Sequence, residues 1–207
     1  MKIGTIVAVS ALTLAAGGAW AGTYVVPGTS DPFLAGAPSG ASVDFGGGIV
    51  DSAPADSPVG IAVTAGQKVT ISNVTGTVSN GPGIPANGPT GGGGISSSAF
   101  TPTGFTELVA GYSDLPINSL VGVFLTPGGG DQVFEVGNGG TLIAPVGTTK
   151  FYLATVDGFQ WSNNSGAFTA TVAVPEPAAW AMMLLGLGGI GVALRSRRRQ
   201  SGLSAAA

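Results

Sequence analysis

Between residues 59 and 174 the chain repeats one pattern: short apolar and β-branched runs, many alternating with Thr, Ser or Gly, each closed by Gly, Pro or Asn. Alternation with period two marks a half-buried strand, because successive side chains point to opposite faces. The clearest runs are residues 59–64, 68–74, 120–125, 132–136, 141–144, 150–156 and 167–174. In the last, Phe168, Ala170, Val172 and Val174 share one face and Ala167, Thr169, Thr171 and Ala173 the other, so one side is predicted to be core. The same alternation in 150–156 sends Phe151 and Leu153 inward and Tyr152 outward. No useful length of residues 22–173 has helical periodicity. About seven or eight short strands, with turns such as Ala65-Gly66-Gln67, predict an all-β fold, an antiparallel β-sandwich. The stretch "NGPGIPANGPTGGGGISSS" (80–98) lacks the Gly-Lys-Ser/Thr that a phosphate-cradling loop needs, and reads as a mobile surface loop.

The two ends are patterned differently. "MKIGTIVAVSALTLAAGGAWAG" has one lysine, an apolar stretch and then Ala19-Trp20-Ala21, the order of a secretory signal peptide over residues 1–21 with signal peptidase cutting after Ala21. A buried N-terminal helix is the alternative. At the other end the apolar run 178–194 would span about 25 Å as a helix, near the lower limit for crossing a bilayer. Gly186, Gly188, Gly189 and Gly191 weaken such a helix in water yet permit close helix approach in lipid. Arg195, Arg197, Arg198 and Arg199 form a positive stop on the cytoplasmic side, with 201–207 as a short cytoplasmic tail. Pro175 and Pro177 break any structure continuing in from the domain, which leaves 22–173 as the ectodomain. A permanent anchor and a removable tag both fit this end, whereas a core helix lacks a partner helix elsewhere.

Composition narrows the chemistry. Hydrophobic residues make up 44% of the chain and charged residues 8%, far below the roughly 25% usual in soluble domains, so Gly, Ser, Thr, Asn and Pro must cover the surface. There is no cysteine, so the fold needs no oxidising compartment, and no histidine, which removes the commonest general base and metal imidazole. Isolated acids such as Glu107, Asp114, Asp131 and Glu135 give no facing pair of the kind a glycosidase needs. The expectation is that the protein is not an enzyme. The net charge of −3 hides an asymmetry: between the basic ends only Lys68 and Lys150 face nearly all the acids. An acidic middle repels a phosphate backbone, so no nucleic-acid partner is expected.

Val174-Pro175-Glu176-Pro177, then Trp180-Ala181-Met182-Met183, a glycine-bearing apolar helix and an arginine cluster resemble the PEP-CTERM sorting signal of Gram-negative bacteria in its PEPxxWA form. The resemblance covers residues 174–200 and implies a transient inner-membrane intermediate. Exosortase, a membrane protease, would recognise Pro175, Glu176 and Pro177 with Trp180 and Ala181, and the product would go to the cell surface or an extracellular polysaccharide matrix. Ser196 interrupts the arginines and "QSGLSAAA" trails them.

A second resemblance is wider. "ADSPVGIAVTAGQKVTISNVTGTVSNGP", "LPINSLVGVF", "QVFEVGNGGTLIAPVGTTKFYLATVD" and "NNSGAFTATV" are similar, in that order, to the galactose-binding-like sandwich of LecA-type bacterial lectins. The resemblance implies a calcium ion held by Asp157, Asn163 and Asn164, with a carbonyl from Asn80, and sugar hydroxyls bound to that ion. The spacing from Asp157 to the Asn pair is about one residue shorter than in a sugar-binding relative. Read without the resemblance, Asn163, Asn164 and Gly166 make an ordinary loop, since Asn tolerates left-handed backbone. Trp161 and Phe159 in the same loop would stack on a sugar face, or cap the end of the core. The leading expectation is an exported, polysaccharide-associated surface protein with a calcium-dependent carbohydrate-binding sandwich; the alternative is a purely structural surface or biofilm protein.

Overall fold

The computed structural model describes residues 20–92, 94, 115–126, 131–175, 184–191 and 195. Residues 20–175 form one unit and the two chain ends another. In the first unit the alternating runs become two four-stranded antiparallel sheets. One has the order β1 (Trp20–Pro27), β10 (Ser165–Val174), β5 (Lys68–Ser79), β8 (Gly140–Ile143). The other has the order β4 (Val59–Ala62), β9 (Lys150–Thr155), β6 (Leu120–Leu125), β7 (Gln132–Glu135). Together they make the antiparallel β-sandwich that the period-two pattern predicts.

Between the sheets Phe168, Ala170, Val172 and Val174 of β10 and Val69, Ile71 and Val78 of β5 meet Phe151 and Leu153 of β9 and Leu120 and Phe124 of β6. Gly122 makes room for this layer, because a Cβ there would stand 2.5 Å from the Phe151 ring. Phe124 and Phe151 pack with ring centroids 4.8 Å apart. Burying a side chain of this size contributes about 2 to 3 kcal/mol.

The second sheet is covered on both faces, which the alternation did not reveal. A short hairpin, β2 (Ser42–Asp44) with β3 (Val50–Ser52), and a 3-10 turn at Pro32–Leu34 supply side chains to its outer side. There Phe33, Leu34, Val43 and Trp161 pack with Val121, Val123, Val133, Tyr152 and Ala154. The outward placement expected for Tyr152 is therefore corrected: it is buried, because its face of β9 borders a second core.

The loop read as mobile is tied down in its described part. Val78 and Asn87 exchange backbone hydrogen bonds at 2.9 and 2.8 Å, Gly92 N–H donates to the Ile117 carbonyl at 2.9 Å, and Leu120 N–H to that of Pro89 at 2.9 Å. Ser79 Oγ lies 2.7 Å from the Ile84 carbonyl oxygen and 3.0 Å from that of Gly81, which curls the loop's start around it.

β1 and β10 pair from Trp20↔Val174 to Pro27↔Ala167, so the chain enters and leaves the sandwich at the same pole. The signal-peptide reading of residues 1–19 lies outside the described residues, while Trp20 and Ala21 already belong to β1. In the other unit residues 184–191 are helical, and no helix among the described residues is long and apolar enough to cross a membrane. The span read over 178–194 falls partly outside the described residues.

Candidate functional site

At the pole of the sandwich opposite Trp20 and Val174, where β10 begins, oxygen-bearing side chains from four segments come together. β9 runs out through Thr155, and Asp157 follows with its side chain buried and Oδ1 accepting the Gly158 N–H at 2.6 Å. The chain then passes through Gln160, at φ 62, into a 3-10 turn at Trp161–Asn163 and returns as β10. Gly166, at φ +82, lets this return press against β5, since a Cβ there would collide with the Thr77 carbonyl oxygen.

Two groups hold the turn. Trp161 is 0% exposed, with its ring centroid 5.9 Å from Phe33 and 5.5 Å from Phe45, and its Nε1–H donates to the Thr155 carbonyl at 2.9 Å. The role of Trp161 as a ligand-stacking residue is thereby corrected: the hairpin and the Pro32–Leu34 turn bury its ring, and it caps the second core. Phe159 keeps 37% of its surface exposed. Asp51, on β3, is the other support, its two carboxylate oxygens accepting the N–H groups of Trp161 at 2.7 Å and Ser162 at 3.1 Å.

Asn164 Nδ2 donates to the Gly28 carbonyl at 3.0 Å, and the same side chain hydrogen-bonds the Asp157 carboxyl. Thr155 Oγ1 also donates to Gly28, at 2.7 Å, which fixes the turn after β1 beneath the site. Asn163 Oδ1 lies against Gly81, 3.5 Å from where a Cβ on that glycine would be. Asn80, next to it, accepts at Oδ1 from Asn118 Nδ2 at 3.2 Å. Asn118 in turn is pinned beside Asp157, its N–H donating to the Val156 carbonyl at 2.7 Å. The structure thus places Asn80, Asp157, Asn163 and Asn164 in linked positions at one pole, with Asn118 among them.

Three amide oxygens here, Oδ1 of Asn118, Asn163 and Asn164, are buried and meet no hydrogen-bond donor of the protein. A buried acceptor left in this state costs about 1 to 3 kcal/mol, so a water or ion that satisfied it would be held there. Burial also raises the Asp157 carboxyl from its usual 3.8 to about 6, against the lowering effect of the Gly158 N–H, the Asn164 side chain and the Phe159 N–H. Asp51 nearby raises it further. Asp31, wholly buried behind the site, is pushed up by the same desolvation and by the charges of Asp51, Asp56 and Asp157, although the Phe33 N–H bonds its carboxyl at 2.7 Å. Lys68 and Lys150, the only cations in residues 22–175, both lie on strands with exposed side chains. The pole is therefore acidic and rich in hard oxygen. Among the described residues no three His, Cys, Asp or Glu side chains gather as a metal group; the donors here are one carboxylate and several amides.

Sequence reasoning missed Asp51, Asp31 and Asn118. Asp51 sits in a three-residue strand with no period to announce it, and nothing in "PINS" separates Asn118 from a turn residue. Of the acids weighed for catalysis, Glu107 and Asp114 lie outside the described residues, and Asp131 accepts the Thr126 N–H at 3.4 Å. Of the sorting residues, Pro175 closes the sandwich unit, its carbonyl accepting from Gln67 Nε2 at 3.0 Å, and Arg195 is helical. Glu176, Pro177, Trp180, Ala181, Arg197, Arg198 and Arg199 lie outside the described residues.

A search of the curated proteins finds no match. Among solved structures the chain is similar to a PllA-like lectin, the EclA N-terminal domain, at 18% identity and a TM-score of 0.37, over 75% of this chain and 95% of that one. Residues 173–199 match the model of the PEP-CTERM protein-sorting motif. The strand that ends the sandwich at Val174 thus runs straight into a sorting signal, and the chain is a β-sandwich protein carrying a PEP-CTERM sorting motif, addressed for export and membrane-linked processing.

Proposed function

We propose that this is an exosortase-processed bacterial surface protein whose sandwich binds extracellular carbohydrate through a calcium ion at the pole where β10 begins. Asp157 provides the carboxylate, Asn163 and Asn164 their amide oxygens, and Asn80 a backbone carbonyl. The observation that carries this reading is the set of buried, unsatisfied amide oxygens beside a desolvated carboxylate. Calcium takes six to eight hard oxygen ligands and leaves part of its shell to a ligand's hydroxyls. Asp51 and Trp161 keep the two asparagines in place, and the exposed part of Phe159 offers an apolar face beside them. Exosortase and, before it, signal peptidase are the processing partners in this reading, with residues 178–194 as a temporary tether in the inner membrane of a Gram-negative cell. No catalytic step is assigned to the protein.

Calcium should raise the melting temperature of the full-length protein in detergent, and a glycan array should give signals that a chelator removes. Asp157→Ala is expected to weaken both by more than about tenfold, because it deletes the one charged donor. A wild-type protein that neither responds to calcium nor retains any glycan would leave the purely structural surface protein as the function. Sorting is tested separately. Mass spectrometry of the protein from normal cells should find a chain that lacks its final arginines, and from cells without the sorting protease one that retains them. An unprocessed chain in both would overturn the exosortase assignment.

A further inference from the structure

Asn118 belongs to no part of the donor set above, yet it hydrogen-bonds Asn80, a member of that set. Its side chain is 0% exposed, and its two amide heads are unequal: Nδ2 donates to Asn80 Oδ1 at 3.2 Å, whereas Oδ1, buried with it, accepts from nothing in the protein. The backbone is left-handed, at φ 67, a conformation that Asn adopts more readily than most non-glycine residues and that its surroundings here hold in place. Those surroundings are visible: Asn118 N–H donates to the Val156 carbonyl at 2.7 Å and Val156 N–H to that of Ser119 at 3.0 Å, which locks Asn118 beside the residue preceding Asp157. The hydrogen bond to Asn80 occupies one of the two acceptor positions of that side-chain oxygen.

We propose that Asn118 is a further oxygen donor of the cation site, its Oδ1 completing the shell while its Nδ2 holds the Asn80 segment in place. This rests on the calcium reading above and adds a ligand to it. A planar amide can do both jobs at once, because its donor and acceptor leave the same carbon in diverging directions. Asn is suited to the position for a second reason: it is among the few side-chain-bearing residues that accept left-handed backbone.

The test titrates calcium chloride alone into the full-length protein in detergent, followed by calorimetry and by melting temperature. Asn118→Gly keeps the left-handed backbone without strain but removes a buried side chain and the donor to Asn80 Oδ1, so the melting temperature without calcium should fall by about 2 to 8 °C. Its calcium affinity should fall about tenfold or more. Asn118→Asp keeps a donor oxygen and adds charge while losing the hydrogen bond to Asn80, so it should bind calcium at least several-fold more tightly than Asn118→Gly, a difference that a merely packing role would not give. If both variants bind like wild type while Asp157→Ala has lost binding, Asn118 is not a donor and the site stands without it; an ordered water then satisfies Oδ1. If wild type itself gives neither heat nor a shift in melting temperature, this proposal and the calcium reading fall together.

Discussion

Trp161→Ala is expected to destabilise the protein by about 4 kcal/mol, which for a domain of this size lowers the melting temperature by about 8 to 16 °C. The indole is wholly buried and is the largest such side chain, so truncation opens a cavity between the second sheet and its covering hairpin. It also leaves the Thr155 carbonyl without its 2.9 Å donor. Phe33 and Phe45 would each lose an aromatic neighbour, and such contacts add about 0.5 to 1.5 kcal/mol beyond area. Trp161→Phe separates the two effects. It keeps most of the apolar volume but not the N–H, and should cost roughly 1 to 2 kcal/mol. Because Trp161 opens the turn that carries Asn163, the alanine variant should lose calcium binding as well as stability. Thermal melts with and without calcium check both, and an alanine variant that melts within about 2 °C of wild type would show that the second core does not depend on this ring.

Without calcium the protein is expected to be more stable at pH 4.5 than at pH 7.5. The Asp157 carboxyl titrates at about 6 in the folded chain and at 3.8 in the unfolded one, so between those values the folded state holds the extra proton. Stability is therefore fully present below about pH 4 and declines as pH rises through about 6. The loss attributable to Asp157 is on the order of 3 kcal/mol. Asp31 and Asp56 are raised by burial too, and their contributions have the same sign. The charge of Asp51 raises the Asp157 carboxyl and that of Asp157 raises Asp31, so ionised carboxylates repel one another at this pole. Millimolar calcium at pH 7.5 should restore the lost stability, and should do little at pH 4.5, where the carboxyl is protonated. Calorimetry in chelator and in calcium at the two pH values tests this. A chelated protein more stable at pH 7.5 than at 4.5 would contradict the burial that raises these carboxyls.

The sandwich was legible because its strands announce themselves. The faces of residues 167–174 sort as read, with Phe168, Ala170, Val172 and Val174 all in the core. β5 was cut short at residue 74 because Asn73 and Gly76 look like turn residues; they are instead positive-φ positions within a strand whose register shifts against β10. β1 was hidden by its overlap with the cleavage signal, and β2 and β3 are too short to show a period. Tyr152 was misplaced because alternation identifies two faces without saying that both are covered. At the site the asparagine pair and Asp157 stand out in one stretch of chain. Asp51 and Asn118 reach it from residues 110 and 38 positions away from the groups they bond, and no local pattern encodes such long-range hydrogen bonds.

The pairing of Trp20 with Val174 sets a direction as well as a register. β10 runs for ten residues from Ser165, beside the asparagines, to the doorstep of the sorting signal. At about 3.3 Å per residue, that is some 30 Å of stiff ladder between the two. Substitutions at Ser165 and at Val174, the two ends of this strand, are therefore too far apart to touch, and their effects on stability should add.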